Sequence, residues 1–325
     1  MADDLFSLEI YHILLLITGI PFFVISLFDS YAILFHTPSN LKLYKPYFLN
    51  LITWYQVALF CLVIFGRIDL TLDNGTLCAS LYGLIEVTKS TTAAYIELFF
   101  VAQSLLNVIL AVFVLFFFRY CHVCHPHSVY STDTFWQKMV NGGITVVLAN
   151  ATVGIFMASI LINATEPNLL FLSNVNICFK ITTLVYICFS MLFSCVGGTT
   201  IMCILFTLRV LYMIEKQSIQ ACQRTKDLQR MLTITLLVSA AIPFVLGSIP
   251  VSLAIYVVAV QSPYTTSVFR LTVLSCVLQG LLQSIATVLL VKPYRRLLCR
   301  WIKNRSFKAT TSATVFVTSN HTRIM

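Results

Sequence analysis

Apolar residues gather along the chain into seven long runs: Ile10–Phe35, Phe48–Gly66, Ala93–Phe118, Met139–Ile162, Ile181–Leu208, Met231–Val260 and Leu271–Val291. A helix needs about 20 predominantly apolar residues to cross a hydrocarbon core of about 30 Å, and each run is near or above that length. A membrane barrel would instead show alternating segments of ~10 residues, so strands are excluded as the spanning unit. The pattern predicts an all-α membrane protein, a seven-transmembrane helix bundle. It is expected to occupy residues 1–325 as one domain, with a tail over 292–325. No internal repeat relates helices 1–3 to helices 5–7, and the one low-complexity stretch is the Ser/Thr-rich Thr310–Thr322. The start carries Asp3, Asp4 and Glu9 but no Lys or Arg, so the first run reads as a retained helix and not a cleaved signal peptide.

Polar positions between the runs give the orientation. Segments 36–47, 119–138, 209–230 and 292–325 hold 17 of the 21 Lys and Arg. The opposite segments hold only Arg67, Lys89, Lys180 and Arg270. Under the positive-inside rule the N-terminus is extracellular and the C-terminus cytosolic. The net charge of +9, spread over short loops, therefore marks topology, and no nucleic-acid partner is expected. With 58% hydrophobic and 10% charged residues, this surface could not be wetted all round; the lipid bilayer is the first partner.

Of eleven cysteines, only Cys78 and Cys178 fall in extracellular loops, where oxidising conditions allow one bridge between them. Five sequons occur, and this topology exposes two of them, Asn74 and Asn163, to glycosylation.

Several positions carry candidate chemistry. Helix 6 contains Pro243 and Pro250, each removing an N–H from the ladder and freeing a carbonyl four residues back, at Ser239 and Leu246. Gly247 adds slack, so the segment reads either as a bend that swings the cytosolic end or as a static kink. Asp29 and Glu97 are the only acidic residues inside the runs. Burying a charge there is costly, which makes each a functional-site hypothesis. Asn50, Gln279 and Gln283 are expected partners of Asp29 in an intramembrane polar network. Glu97 lies near the outer end of helix 3, where it either meets a ligand, with Tyr95 and Gln103 nearby, or snorkels to water.

Cys121-His122-Val123-Cys124-His125-Pro126-His127 resembles half of a zinc site, but no second ligand pair is present. A solvated loop or palmitoylation accounts for it better, and no metal is expected. After helix 7, Tyr294, Leu297, Leu298, Trp301 and Ile302 recur at helical spacing among basic residues, which predicts a short amphipathic interfacial helix with Cys299 as an acyl anchor. Enzymatic readings fail. His12 and His36 sit at opposite ends of helix 1, and no phosphate loop or nucleophile elbow occurs. No helix holds a Lys for a retinal Schiff base, and no cofactor is expected.

His36-Thr37-Pro38-Ser39-Asn40-Leu41-Lys42, with Lys45 and Leu49-Asn50-Leu51, resembles the helix 1–2 connection of nematode serpentine chemoreceptors. The paired Ile-Pro steps of helix 6 and Lys292-Pro293-Tyr294-Arg295 are similar to theirs. The closest class is H (Srh) of the Str superfamily. The resemblance implies a G-protein-coupled receptor for a small chemical cue at the plasma membrane, by family in a sensory cilium. Helix 6 would move, and a heterotrimeric G protein would engage the cytosolic loops. Arg119-Tyr120 would be the Arg-aromatic pair ending helix 3, with Pro293, Tyr294 and Arg295 part of the same coupling region. Phe117-Phe118 stands where an acidic residue often precedes that Arg, so an acidic lock within helix 3 is missing. A seven-helix transporter or ligand-gated channel, and a receptor-like protein that no longer signals, are the alternative classes. A dimer is compatible with the sequence but not indicated by it.

Overall fold

A computed structural model describes residues 7–37, 39–73, 75–125, 135–165, 175–217, 234, 237–238, 241–291 and 293–301. Helix α1 spans Leu8–His36 and starts where the Ser7 side chain accepts from the Ile10 amide, an N-cap. Helix α2 (Lys45–Leu59) has a proline in its first turn, where the missing N–H costs nothing, and continues as a π-helical turn over Phe60–Phe65. Helix α3 (Thr91–Cys124) is capped by Ser90, and α4 spans Phe135–Ile162. Helices α5 (Thr183–Gln217), α6 (Ala241–Ala259) and α7 (Thr265–Leu290) follow. Among the described residues six helices are long and apolar enough to cross a membrane, and α4 adds the shorter apolar stretch Val147–Ile162. Together they form the seven-helix bundle. Residues 293–301 form a further helix after α7.

Helix α3 is the hub. It packs against α2, α4 and α5, while α7 packs against α1 and α6. Several helices outrun their apolar runs, because a backbone ladder continues wherever its own hydrogen bonds close, in lipid or in water. Helix α3 ends at Cys124 instead of Phe118, and α5 at Gln217 instead of Leu208. Helix α7 begins at Thr265, which brings Arg270 inside it. Cys121 is accordingly a buried residue of α3, while 126–127 of the Cys/His segment lie outside the described residues. Among the described residues no group of three or more His, Cys, Asp or Glu is placed to hold a metal ion.

The sequence reading has loops at one end of the bundle; the structure has a sheet there. β1 (Arg67–Asp73) and β2 (Thr76–Tyr82) form an antiparallel hairpin. β2 also pairs with β4 (Val175–Lys180), and β4 with the short β3 (Ala164–Thr165), giving the order β1-β2-β4-β3. The hairpin turns at Gly75, whose φ of 76° lies in the region open to glycine. Ile68, Leu70 and Leu72 alternate on β1, Leu77, Ala79 and Leu81 on β2, and Ile177 and Phe179 on β4. The register sets Leu70 opposite Ala79 and Ala79 opposite Ile177, so these side chains share one apolar face. That face is turned into the bundle.

The other face carries Cys78 opposite Cys178, joined by a disulfide with a Cα–Cα distance of 4.1 Å. The bridge therefore ties strand to strand; the top of α3 lies further on, past a short helix over Leu84–Thr88. Arg270 of α7 grips Asp69 of β1 with both ends of its guanidinium, Nε to Oδ1 at 2.9 Å and Nη2 to Oδ2 at 2.8 Å. Both residues are buried. The Tyr11 hydroxyl of α1 donates to the Ile68 carbonyl at 2.9 Å, a second tie between sheet and bundle.

Candidate functional site

Beneath the sheet lies a cavity of about 600 Å³, within the size range of small-molecule sites. Ile68, Leu70, Leu77, Ala79 and Phe179 of the sheet form its roof. Its walls come from α2 to α7, with Phe22 of α1, and none of the described lining residues is charged. Polar lining groups are few, and two pairs of them are joined by hydrogen bonds. Gln279 Nε2 of α7 donates to the Tyr55 hydroxyl of α2 at 2.8 Å, and Thr200 of α5 shares a hydrogen bond with Ser248 of α6 at 3.2 Å.

Helix α6 enters this wall in an altered form. Between Pro243 and Pro250 the chain runs as a π-helical turn, Phe244–Ser248, with the Ile249 amide bonded to the Phe244 carbonyl. A missing donor and a ring that crowds the preceding turn favour such a widened turn over a regular ladder. The Thr272 hydroxyl of α7 donates to the Pro250 carbonyl at 3.1 Å, so part of the backbone is satisfied from outside. Gly247 has no side chain for a reason of contact: a Cβ there would sit 2.4 Å from Gln279 Oε1. Pro243, Phe244, Gly247 and Ser248 all line the cavity.

At the opposite end of the bundle Arg119 is buried, and its Nη1 donates to the Tyr44 hydroxyl at 2.7 Å. Its guanidinium carbon also lies 5.6 Å from the centre of the Tyr44 ring, within cation–π range. Tyr44 and Tyr47 pack on Phe118, the residue that stands before Arg119. Arg119 Nε and Nη2 have no hydrogen-bond partner among the described residues. Tyr120 points to the other side, stacked on Phe206 of α5 at 4.9 Å. The Tyr294 hydroxyl lies 2.9 Å from Thr37 Oγ1, and burial pushes its phenol above the ordinary tyrosine range, so it keeps its proton. Arg295 is exposed and Pro293 half-buried in the same helix, and Cys299 is exposed.

The expected ligand residues lie elsewhere. Glu97 is buried against Gly66, whose added Cβ would meet Glu97 Cγ at 3.0 Å, and it does not reach water. Neither Glu97, Tyr95 nor Gln103 lines the cavity; the residues of α3 that do include Leu98, Val101, Leu105 and Val112. The expected network around Asp29 is also regrouped. Asp29 is buried beside Ser284, with no hydrogen bond of ordinary geometry to its carboxylate among the described residues. Asn50 is exposed and accepts from Trp54 Nε1 at 3.1 Å, while Gln279 is committed to Tyr55. Gln283 is buried on α7. Asn163 is half-buried, with its amide donating to the Ser159 carbonyl, and Asn74 lies outside the described residues.

Fold and site define a seven-helix membrane protein with an apolar chamber under a cross-braced sheet, the build of a small-molecule receptor. The profile of the serpentine type 7TM GPCR chemoreceptor Srh family matches residues 7–304, and the chain belongs to that family. A comparison with curated proteins gives no match. The family is one of multi-pass membrane receptors that take small-molecule ligands and G proteins as partners, and it is not an enzyme class.

Proposed function

We propose that the chain is a chemosensory receptor of the plasma membrane whose ligand occupies the chamber under the sheet. Occupancy shifts α6 at its π-helical turn and opens the Arg119 end to a heterotrimeric G protein. One observation carries this reading. The irregular segment of α6 is itself cavity wall, and side chains of α5 and α7 hold it, with Gln279 linking it on to α2. A ligand that favours one packing of that segment shifts the equilibrium by its difference in affinity for the two states. The described lining is uncharged and offers ions no polar path, which argues against a channel.

The sheet end is the extracellular one in this reading. It holds the disulfide and four basic residues, against 17 at the other end. Asn74 and Asn163 would be glycosylated on that side. The test is nucleotide exchange in cells carrying a G-protein reporter, screened with volatile and soluble cues. Agonist-dependent exchange that falls when Arg119 is neutralised at equal surface expression is the expected result. Ion flux without exchange would contradict it. Because the G protein is cytosolic, coupling also tests the orientation.

A further inference from the structure

The chemistry of the chamber restricts what can fill it. A charged ligand would have to leave water for walls whose described residues offer no counter-charge, which disfavours it strongly. The Tyr55 hydroxyl accepts from Gln279 Nε2, which leaves its own proton to donate. Tyr55 is buried and faces the cavity, so one acceptor oxygen on a ligand would satisfy that donor.

The walls also differ in exposure. On α4, α5 and α6 several residues that line the chamber are large, apolar and exposed: Ile155, Met191, Ile204, Leu208 and Phe244. They sit in the apolar spanning helices, whose outer surface meets lipid in a membrane. The roof, in contrast, is a bridged and ion-paired sheet.

The geometry points to a neutral, mainly apolar ligand with a single acceptor oxygen, of the ketone, aldehyde or ester kind, which enters from the bilayer through the α5–α6 wall and accepts a hydrogen bond from Tyr55. This deepens the receptor reading above, but its binding arm stands without G protein.

The probe is 2-decanone carrying an aliphatic diazirine, photolysed with the purified full chain in lipid nanodiscs and mapped by peptide. Label is expected on cavity residues of α3, α5 and α6. It should be displaced by unlabelled 2-decanone, and far less by decanoate. Tyr55→Phe should weaken 2-decanone about tenfold, the size of one lost hydrogen bond, while decane competes as before. Ala254→Trp fills the chamber and should abolish cavity labelling; Ala102→Leu serves as a milder filling variant if the first fails to fold. Ala241→Trp, at the exposed rim, should slow labelling several-fold without changing its final extent.

Labelling confined to other surfaces, decanoate competing as well as the ketone, or Tyr55→Phe without effect on 2-decanone would overturn the ligand class. An unchanged labelling rate in Ala241→Trp would overturn the route. Cavity binding without any G-protein exchange would overturn the receptor reading and leave the ligand class standing. Exchange driven by a charged cue that does not compete for the chamber would do the reverse.

Discussion

The two ends of this bundle are held by different kinds of force. At the sheet end a disulfide closes a sequence separation of 100 residues, a buried bidentate ion pair fixes β1 to α7, and strand pairing spans two connections. At the other end the ties among the described residues include Arg119 to Tyr44, Tyr294 to Thr37 and Lys45 to the Leu34 carbonyl, each a hydrogen bond from or between side chains, with the aromatic packing on Phe118. Breaking a buried ion pair by removing one partner costs about 3–5 kcal/mol, whereas a hydrogen bond contributes about 0.5–3 kcal/mol, the upper part only to a charged group. The first end keeps a chamber in shape. In the function proposed above, a modest difference in binding energy is enough to rearrange the second.

The largest effect should come from breaking the sheet end at its ion pair. Asp69→Asn leaves the Arg270 guanidinium buried without its counter-charge, a loss of about 3–5 kcal/mol. Thermal unfolding in nanodiscs, followed by a thiol-reactive dye on buried cysteines such as Cys61 and Cys203, should show a clear fall in midpoint. Asp69→Leu combined with Arg270→Met should recover most of it, since neither charge then remains. If Asp69→Asn unfolds like the wild type, the pair does not brace the roof.

A smaller change should appear at the other end. Tyr44→Phe keeps the aromatic packing on Phe118 but removes the acceptor that holds Arg119. A hydrogen bond to a charged group contributes about 1.5–3 kcal/mol, so the population with Arg119 released should rise roughly tenfold or more. Basal nucleotide exchange should increase at unchanged surface expression. Basal exchange equal to wild type would mean that Tyr44 merely fills space.

How far the sequence reveals these two ends follows from the range of the interactions involved. Helices are local, and apolar runs of about 20 residues show up plainly, which is why seven runs become seven helices. The sheet left a signal too, in the strict alternation of Ile68, Leu70 and Leu72, then Leu77, Ala79 and Leu81, about the Asn74-Gly75 pair that favours a two-residue hairpin. A reading set on 20-residue spans passes over a period of two.

Cys78–Cys178 was legible because only two cysteines lay on the oxidising side. Asp69–Arg270 was not, because its partners are 201 residues apart and Arg270 looked like a loop residue until α7 took it in. Tyr44 is 75 residues from Arg119, and nothing local marks it as the substitute for the absent acidic residue. Glu97 is an acidic residue in a spanning run and stands out for that reason, yet the chamber is lined mainly by apolar residues that look like any other core position.

The central claim is that the π-helical segment of α6 lets the Arg119 end move, and a distance measurement tests it most directly. Site-specific spin labels replace Ile234 on the α6 side and Lys42 in the α1–α2 connection, both exposed. Distances are recorded with and without nucleotide-free heterotrimeric G protein, which needs no identified agonist. The wild type should show a second, longer distance in the presence of G protein. Pro243→Ala with Pro250→Ala, which restores both ladder donors, should shrink that population and lower basal exchange with it. One unchanged distance in the wild type, or a double variant matching the wild type in both distance and exchange, would contradict the account.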